Sequence, residues 1–216
     1  MIHNQTEMKI PVGNVVIEGT LTMPTGAKGV VLFVHGSGSS RFSPRNQYVA
    51  KQFNKSKIAT LLFDLLTQQE EEADALTAEY RFNIALLTQR LIGATQWLRR
   101  DPLTKNLKLG YFGASTGAAA ALITAAKLSS DISAVVSRGG RPDLAGEYLQ
   151  GVVSPTLLLV GSLDAEVIEL NREAMSQMNN EKKMVIVAGA THLFEEPGTL
   201  EEVAKIATEW FLRYLC

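Results

Sequence analysis

Short apolar runs alternate with longer amphipathic stretches along most of the chain. Each run holds four to six residues, is rich in valine, isoleucine and leucine, and is followed within two residues by glycine or aspartate. Runs that are apolar at consecutive positions predict strands buried on both faces, as in a parallel sheet. The predicted strands are residues 29–34, 58–62, 107–112, 134–137, 156–160 and 184–188.

The stretches between these runs carry helical periodicity. Apolar residues recur every three or four positions from Ile84 to Leu98, and Asp101 and Pro102 then end that helix. Strands that alternate with amphipathic helices predict an α/β fold with a doubly wound, mostly parallel sheet. Ligands bind such sheets beyond the carboxyl ends of the strands, so the residues that follow each run are candidates for function.

The residues near both ends of the chain also predict secondary structure. Residues 9–24 alternate around Gly13 and Asn14 and predict an antiparallel hairpin. Near the other end, Thr199 and Glu202 fit a capping box that opens a last helix. The predicted buried face of that helix consists of Val203, Ile206, Ala207, Trp210 and Tyr214.

Composition indicates an ordinary globular protein. The 216 residues fit a single domain over 1–216, with 46% hydrophobic and 20% charged residues. A formal net charge of -1 argues against nucleic acid or an anionic membrane as a partner. The first nine residues lack an apolar signal segment, and no apolar run reaches the roughly 20 residues of a membrane span, so we expect a cytoplasmic protein.

The single cysteine, Cys216, excludes internal disulfides and a cysteine-based zinc site. The oligomeric state stays open between a monomer and a homodimer.

Residues 113–117 (GASTG) match the G-x-S-x-G pattern between a predicted strand and an alanine-rich helix. A sharp strand-to-helix turn needs glycine on either side of the serine, and it exposes the hydroxyl near the positive end of the helix dipole. We therefore predict Ser115 as a nucleophile. The competing hypothesis is a glycine-rich phosphate loop, but a dinucleotide fingerprint normally opens the first βα unit of a fold.

A serine nucleophile needs a base, most often histidine. Chain order after this type of turn is nucleophile, acid, base, which selects His192 over His35 and over His3 in the N-terminal tail. The acid should then follow a strand between the serine and the base. Asp164 does so, and Glu166 is the alternative. The role of the acid is to fix the tautomer of the histidine and to stabilise the imidazolium.

Backbone N–H groups are needed to stabilise the oxyanion of the tetrahedral intermediate. One predicted donor is the N–H of Thr116, which follows the nucleophile. The other is the N–H of Ser37, with Gly36 and Gly38 as alternatives. His35 begins the same loop, and we predict that it is a structural hydrogen-bonding residue.

Two arginines are candidates for binding a substrate carboxylate. Arg138 follows a predicted strand directly, and Arg81 lies in a connecting segment, although both types of position often hold structural arginines. The acidic residues 69–74 predict a solvated loop. Only residues 138–155 separate two strands where a cap is usually inserted, so we expect an open site that takes small substrates.

Four motifs together resemble the α/β-hydrolase superfamily, and within it the dienelactone-hydrolase-like group, from about Val30 to the C-terminus. The resemblance implies a carboxylic-ester hydrolase that uses no metal or organic cofactor and acts on a small-molecule ester. Dienelactone hydrolase proper uses a cysteine nucleophile where this chain has Ser115, so a general carboxylesterase or lactone hydrolase is implied. The motifs are residues 35–40 (HGSGSS), 113–117 (GASTG), 162–164 (SLD) and 189–194 (GATHLF).

The leading hypothesis is therefore hydrolysis of a small ester or lactone through an acyl-enzyme on Ser115. A second hypothesis is thioester hydrolysis or acyl transfer by the same triad. A third is a catalytically silent α/β-hydrolase that acts as a binding protein. Silent members commonly lose the serine or the histidine, and this chain has both.

Overall fold

The computed structural model describes residues 4–216, and its centre is a sheet of eight strands. His3 lies outside the described residues. The strands are β1 (Asn4–Val12), β2 (Val15–Met23), β3 (Gly29–Val34), β4 (Ala59–Phe63), β5 (Lys108–Ala114), β6 (Ile132–Arg138), β7 (Thr156–Gly161) and β8 (Lys182–Val187). Their order across the sheet is β1-β2-β4-β3-β5-β6-β7-β8. β2 pairs antiparallel with β1 and β4, and all other neighbours are parallel.

Helices cover both faces of this sheet. They are α1 (Pro44–Lys55), α2 (Gln68–Thr77), α3 (Ile84–Arg100), α4 (Thr116–Leu128), α5 (Ala165–Gln177) and α6 (Thr199–Leu215). α1 and α6 pack on one face, against a cluster that contains Phe33 and Phe112. α3, α4 and α5 pack on the other face, together with a 3₁₀ segment, Pro142–Gly151.

This architecture confirms the predicted doubly wound, mostly parallel sheet with an N-terminal antiparallel hairpin. Each predicted strand lies within two residues of the observed bounds. In the hairpin, Val12 pairs with Val15, which leaves Gly13 and Asn14 as a two-residue turn. Gly13 has a φ of 59°, which glycine adopts without strain.

The predicted burial of the last strand on both faces is wrong. β8 is an edge strand, so its Lys183 and Ile186 are exposed. A lysine on an edge strand discourages pairing with another chain.

The predicted capping box of the last helix is also wrong. The N-cap of α6 is Gly198, and the Thr199 hydroxyl donates to the Glu196 carbonyl oxygen over 2.7 Å instead of capping the helix. On the predicted buried face, Ile206 and Tyr214 are only half-buried.

The acidic residues 69–74 lie in helix α2 and not in a solvated loop. Thr67 caps this helix, because its Oγ1 accepts the Glu70 N–H over 3.2 Å and its own N–H donates to Glu70 Oε2 over 2.8 Å. Asp74 is buried, where it pairs with Arg81.

The parallel strands β3, β5, β6, β7 and β8 end at one edge of the sheet, and the loops that follow them meet there. Within residues 4–216, the connection from β6 to β7 holds only the 3₁₀ segment and no separate cap. No helix in this part of the chain is long and apolar enough to cross a membrane.

Candidate active site

Ser115 occupies the turn between β5 and α4, with a φ of 48° and a ψ of -124° that L-residues rarely adopt. The flanking glycines make this turn sterically possible. A Cβ on Gly113 would lie 2.5 Å from the Ala118 Cα, and one on Gly117 would lie 2.1 Å from the Val34 carbonyl oxygen. The turn leaves the Ser115 side chain half-buried at the edge of the sheet.

His192 and Asp164 are joined by a hydrogen bond of 2.7 Å between Nδ1 and Oδ2. Asp164 follows β7 and is the N-cap residue of α5, but its side chain makes no capping bond and is therefore free for the histidine. A carboxylate on Nδ1 selects the tautomer in which Nδ1 carries the proton and Nε2 is the acceptor. His192 is the more exposed of the two, with 38% of its side chain accessible against 16% for Asp164.

The segment from Arg138 to Arg141 contacts both the turn at Ser115 and the loop that holds His192. The Ser115 N–H donates to the Arg138 carbonyl oxygen over 3.4 Å, and the Arg141 N–H donates to the Ser115 carbonyl oxygen over 3.1 Å. Between them, Gly139 lies against His192, since an added Cβ would be 3.0 Å from the His192 carbonyl oxygen. No hydrogen bond within residues 4–216 joins Ser115 Oγ to His192, a contact that often tightens only when substrate binds.

The loop after β3 lies directly against the serine. A Cβ on Gly36 would be 2.9 Å from the Ser115 Cβ. The Ser37 N–H donates to Thr116 Oγ1 over 3.0 Å. As the first residue of α4, Thr116 has an N–H without an acceptor in its own helix. The two predicted oxyanion donors are therefore neighbours. One of them, the Ser37 N–H, already donates a hydrogen bond to the Thr116 hydroxyl.

His35 uses both ring nitrogens for structural hydrogen bonds. The Leu65 N–H donates to Nε2 over 3.1 Å, so Nδ1 carries the proton and donates to the Gly36 carbonyl oxygen over 3.0 Å. Burial lowers the pKa of His35 and outweighs the opposing effects of the Gly36 bond and the Asp64 charge. His35 is thus held neutral, and neither ring nitrogen is available to act as a base.

A cavity of about 270 Å³ opens beside the loop after β3 and is bounded on its other side by α2. Arg81 lines this cavity, and the Asp74 carboxylate compensates its charge. Arg81 Nε donates to Asp74 Oδ2 over 2.6 Å, and Nη2 donates to the Asp74 carbonyl oxygen over 2.6 Å. Glu71 also lines the cavity, where partial burial and then the Asp64 and Asp74 charges raise its pKa. Glu71 and Asp74 belong to the segment 69–74 that was predicted as a solvated loop, although the capping signal at Thr67 could have placed both on a helix.

Arg138 lies on the face of the sheet that α1 and α6 cover, since Phe112 belongs to the cluster on that face. Its side chain is packed over the Phe112 ring, with Cζ 6.0 Å from the ring centroid, and the residue is only 8% exposed. Burial, and secondarily the charge of Arg45, lowers the pKa of Arg138 to about 10. Its side chain forms no salt bridge or hydrogen bond with the residues that the structure describes, and Nη1 is fully buried.

The sequence and the fold of this chain are similar to those of known proteins. The model of the dienelactone hydrolase family matches residues 17–215. The chain is 54% identical to a dienelactone hydrolase from Anabaena variabilis of known crystal structure, with a TM-score of 0.98 and 99% of both chains covered. Est1E from Butyrivibrio proteoclasticus shares the fold, with a TM-score of 0.80 at 16% identity, over 96% of this chain and 98% of Est1E.

Two curated relatives, from two strains of Mycobacterium tuberculosis, are 53% identical over 210 residues. They are provisionally named phosphoribosyl transferases. The match covers 97% of this chain but 46% of each relative. The chain thus spans about half the length of these proteins.

The His35→Gln variant should have a shallower dependence of stability on pH than the wild type. The unfolded imidazole titrates near 6.5 and the folded one lower, so below about pH 6.5 the unfolded state binds more protons. Wild-type stability should therefore fall as the pH decreases from about 7.5 to about 5, and glutamine removes this contribution. Thermal unfolding midpoints across this range measure the effect, and parallel curves for both proteins would contradict it.

Proposed function

The chain belongs to the dienelactone hydrolase family and is a hydrolase, and we propose that it cleaves small carboxylic esters or lactones through an acyl-enzyme on Ser115. The observation that carries this proposal is the strained turn at Ser115 together with the 2.7 Å contact between His192 and Asp164. A nucleophile, a base and an acid that orients the base are the three parts that acyl transfer requires.

The proposed reaction starts when His192 Nε2 takes the proton of the Ser115 hydroxyl while Oγ attacks the carbonyl carbon. The tetrahedral intermediate collapses as the imidazolium returns that proton to the leaving alcohol. Water then attacks the acyl-enzyme, His192 takes its proton, and the carboxylic acid leaves as the proton returns to Ser115 Oγ. Asp164 stabilises the imidazolium in both halves of the reaction.

The N–H groups of Ser37 and Thr116 would stabilise the oxyanion in both steps. Since the Ser37 N–H donates to Thr116 Oγ1 without substrate, the oxyanion must share that donor or displace the hydroxyl. Rotation of the Thr116 side chain about χ1 would free the N–H without movement of the backbone.

Small substrates fit the surroundings of Ser115. The connection from β6 to β7 provides no cap that could enclose a long acyl chain, and the adjoining cavity measures about 270 Å³.

The Ser115→Ala variant should lose at least about 10³-fold in kcat for p-nitrophenyl acetate, since it lacks the nucleophile, with a trace of activity left from the oxyanion donors. Ser176→Ala is the matched control, because Ser176 is exposed on α5, and it should retain wild-type turnover. Undiminished hydrolysis by the Ser115 variant would refute the proposed mechanism.

Replacing each carboxylate in turn tests whether Asp164 or Glu166 is the acid that orients His192. Asp164→Asn should lower kcat by about 10²- to 10⁴-fold, because the amide favours the wrong tautomer of His192. The fold should be retained, since the Asp164 side chain does not cap α5. Glu166→Gln, two residues away in the first turn of the same helix, should change kcat by less than about threefold. Steady-state kinetics with p-nitrophenyl acetate measure both, and a reversed pattern would assign the acid to Glu166.

A further inference from the structure

We propose that Asn171 is a positioning residue for the reaction at Ser115, because its buried carboxamide joins the helix that follows Asp164 to the segment that holds the serine. This inference rests on the proposed hydrolysis at Ser115 and adds a residue that acts on it from a distance. Asn171 lies in α5 and is 0% exposed, so its side chain cannot contact a substrate.

The first argument is the hydrogen bond that Asn171 makes outside its own helix. Its Nδ2 donates to the Gly140 carbonyl oxygen over 3.0 Å and to the Val167 carbonyl oxygen over 2.8 Å. Val167 lies one turn earlier in α5, whereas Gly140 belongs to the segment that follows β6. The two N–H groups of one buried amide therefore connect α5 to that segment.

The second argument is the peptide group to which Asn171 is bound. The Gly140 carbonyl and the Arg141 N–H belong to the same peptide unit, which is planar and rigid. On its other side this unit donates to the nucleophile residue, since the Arg141 N–H bonds to the Ser115 carbonyl oxygen over 3.1 Å. A rotation of this peptide would break both bonds. Asn171 thus restrains the backbone of Ser115 through a single peptide unit.

The third argument is the position of Asn171 relative to the acid. Asp164 is the N-cap residue of α5, and Asn171 follows it after about two turns, on the same side of the helix. Asp164 in turn accepts the hydrogen bond from His192. The contact between Asn171 and Gly140 therefore fixes the helix that begins at the acid relative to the backbone that holds the nucleophile.

The segment that Asn171 binds has little to hold it by itself. Gly139 and Gly140 carry no side chains, and Gly139 has a φ of 50°. A Cβ on Gly140 would lie 2.0 Å from Ser137 Oγ, so the close packing there excludes a larger residue. Because glycine loses more conformational freedom on folding than any other residue, a hydrogen bond from another element is needed to define this segment.

Packing alone does not explain an asparagine at this position. The other buried residues of α5, Val167 and Ala174, are apolar. Asn171 Oδ1 is buried and accepts no hydrogen bond from residues 4–216, which costs free energy. An apolar residue of similar shape would avoid that cost but would leave the Gly140 carbonyl without its donor. The bond to Gly140 therefore accounts for the amide.

Asn171→Leu keeps a branched side chain and removes the donor. With p-nitrophenyl acetate, kcat should fall about 10- to 100-fold, because a misplacement of about 1 Å at the reacting groups costs up to this much. KM should change by less than about threefold, since no contact with the substrate is lost. Asn171→Ala, which cannot overfill the buried position, should give the same result.

Ala174→Gly is the matched control, one turn further along the buried face of α5. It should lower the thermal unfolding midpoint, because glycine disfavours the helix, and keep kcat within about twofold of the wild type. A kcat within about threefold of the wild type in both Asn171 variants, a raised KM as their main defect, or an equal loss of kcat in Ala174→Gly would overturn the proposal.

Hydrogen exchange separates this contact from the hydrolytic mechanism, because it needs no turnover. The Arg141 N–H exchanges with deuterium when its bond to Ser115 opens, and the Leu158 N–H in the buried strand β7 reports the stability of the sheet. In Asn171→Leu, the exchange rate of Arg141 relative to Leu158, measured by NMR, should rise at least about 10-fold. Ala174→Gly should leave this ratio unchanged.

The two proposals can therefore fail separately. If the ratio rises in Asn171→Leu while the wild type neither cleaves p-nitrophenyl acetate nor reacts with a fluorophosphonate, the positioning contact stands and the hydrolytic proposal fails. An unchanged ratio in Asn171→Leu would overturn the role of Asn171, whatever the activity of the wild type.

Discussion

The close approach of the first turn of α4 to the end of β3 is the constraint on which the site depends. Gly117 allows it, because any Cβ there would meet the Val34 carbonyl oxygen at 2.1 Å. Gly36 in turn lies against Ser115, so the loop after β3 and the nucleophile turn fix each other. This contact maintains the unusual backbone conformation of Ser115 and brings Ser37 next to the first residue of α4. A side chain at either glycine would separate Ser115 from the loop after β3.

The sequence was sufficient to predict the sheet and the order of the loops that hold Ser115, Asp164 and His192. Consecutive apolar positions indicate buried parallel strands, and the glycine spacing around Ser115 requires a turn that only a strand-to-helix junction provides. Chain order then selected His192 and Asp164, which the structure places 2.7 Å apart. The edge strand β8 was misjudged because the apolar residues 184–188 resemble those of a central strand, whereas the strand begins with two lysines and lies at the end of the pairing order.

Contacts between distant segments could not be predicted from local patterns. Nothing in the sequence indicates that Ser37 donates to the Thr116 hydroxyl, since the two residues are 79 positions apart. Arg81 and Arg138 looked equivalent as well. The folded chain shows Arg81 paired with Asp74, whereas Arg138 is buried without a partner among residues 4–216. The strained turn at Ser115 lowers stability, as unusual backbone conformations often do.

Reaction with a fluorophosphonate tests the assignment of the nucleophile most directly. An activated serine displaces fluoride and forms a stable Oγ–P bond, which mass spectrometry locates after trypsin digestion. The account predicts one adduct on the folded protein, in the tryptic peptide of residues 109–127 and at Ser115, its single serine. An adduct at another serine, or no adduct on the folded protein, would contradict it.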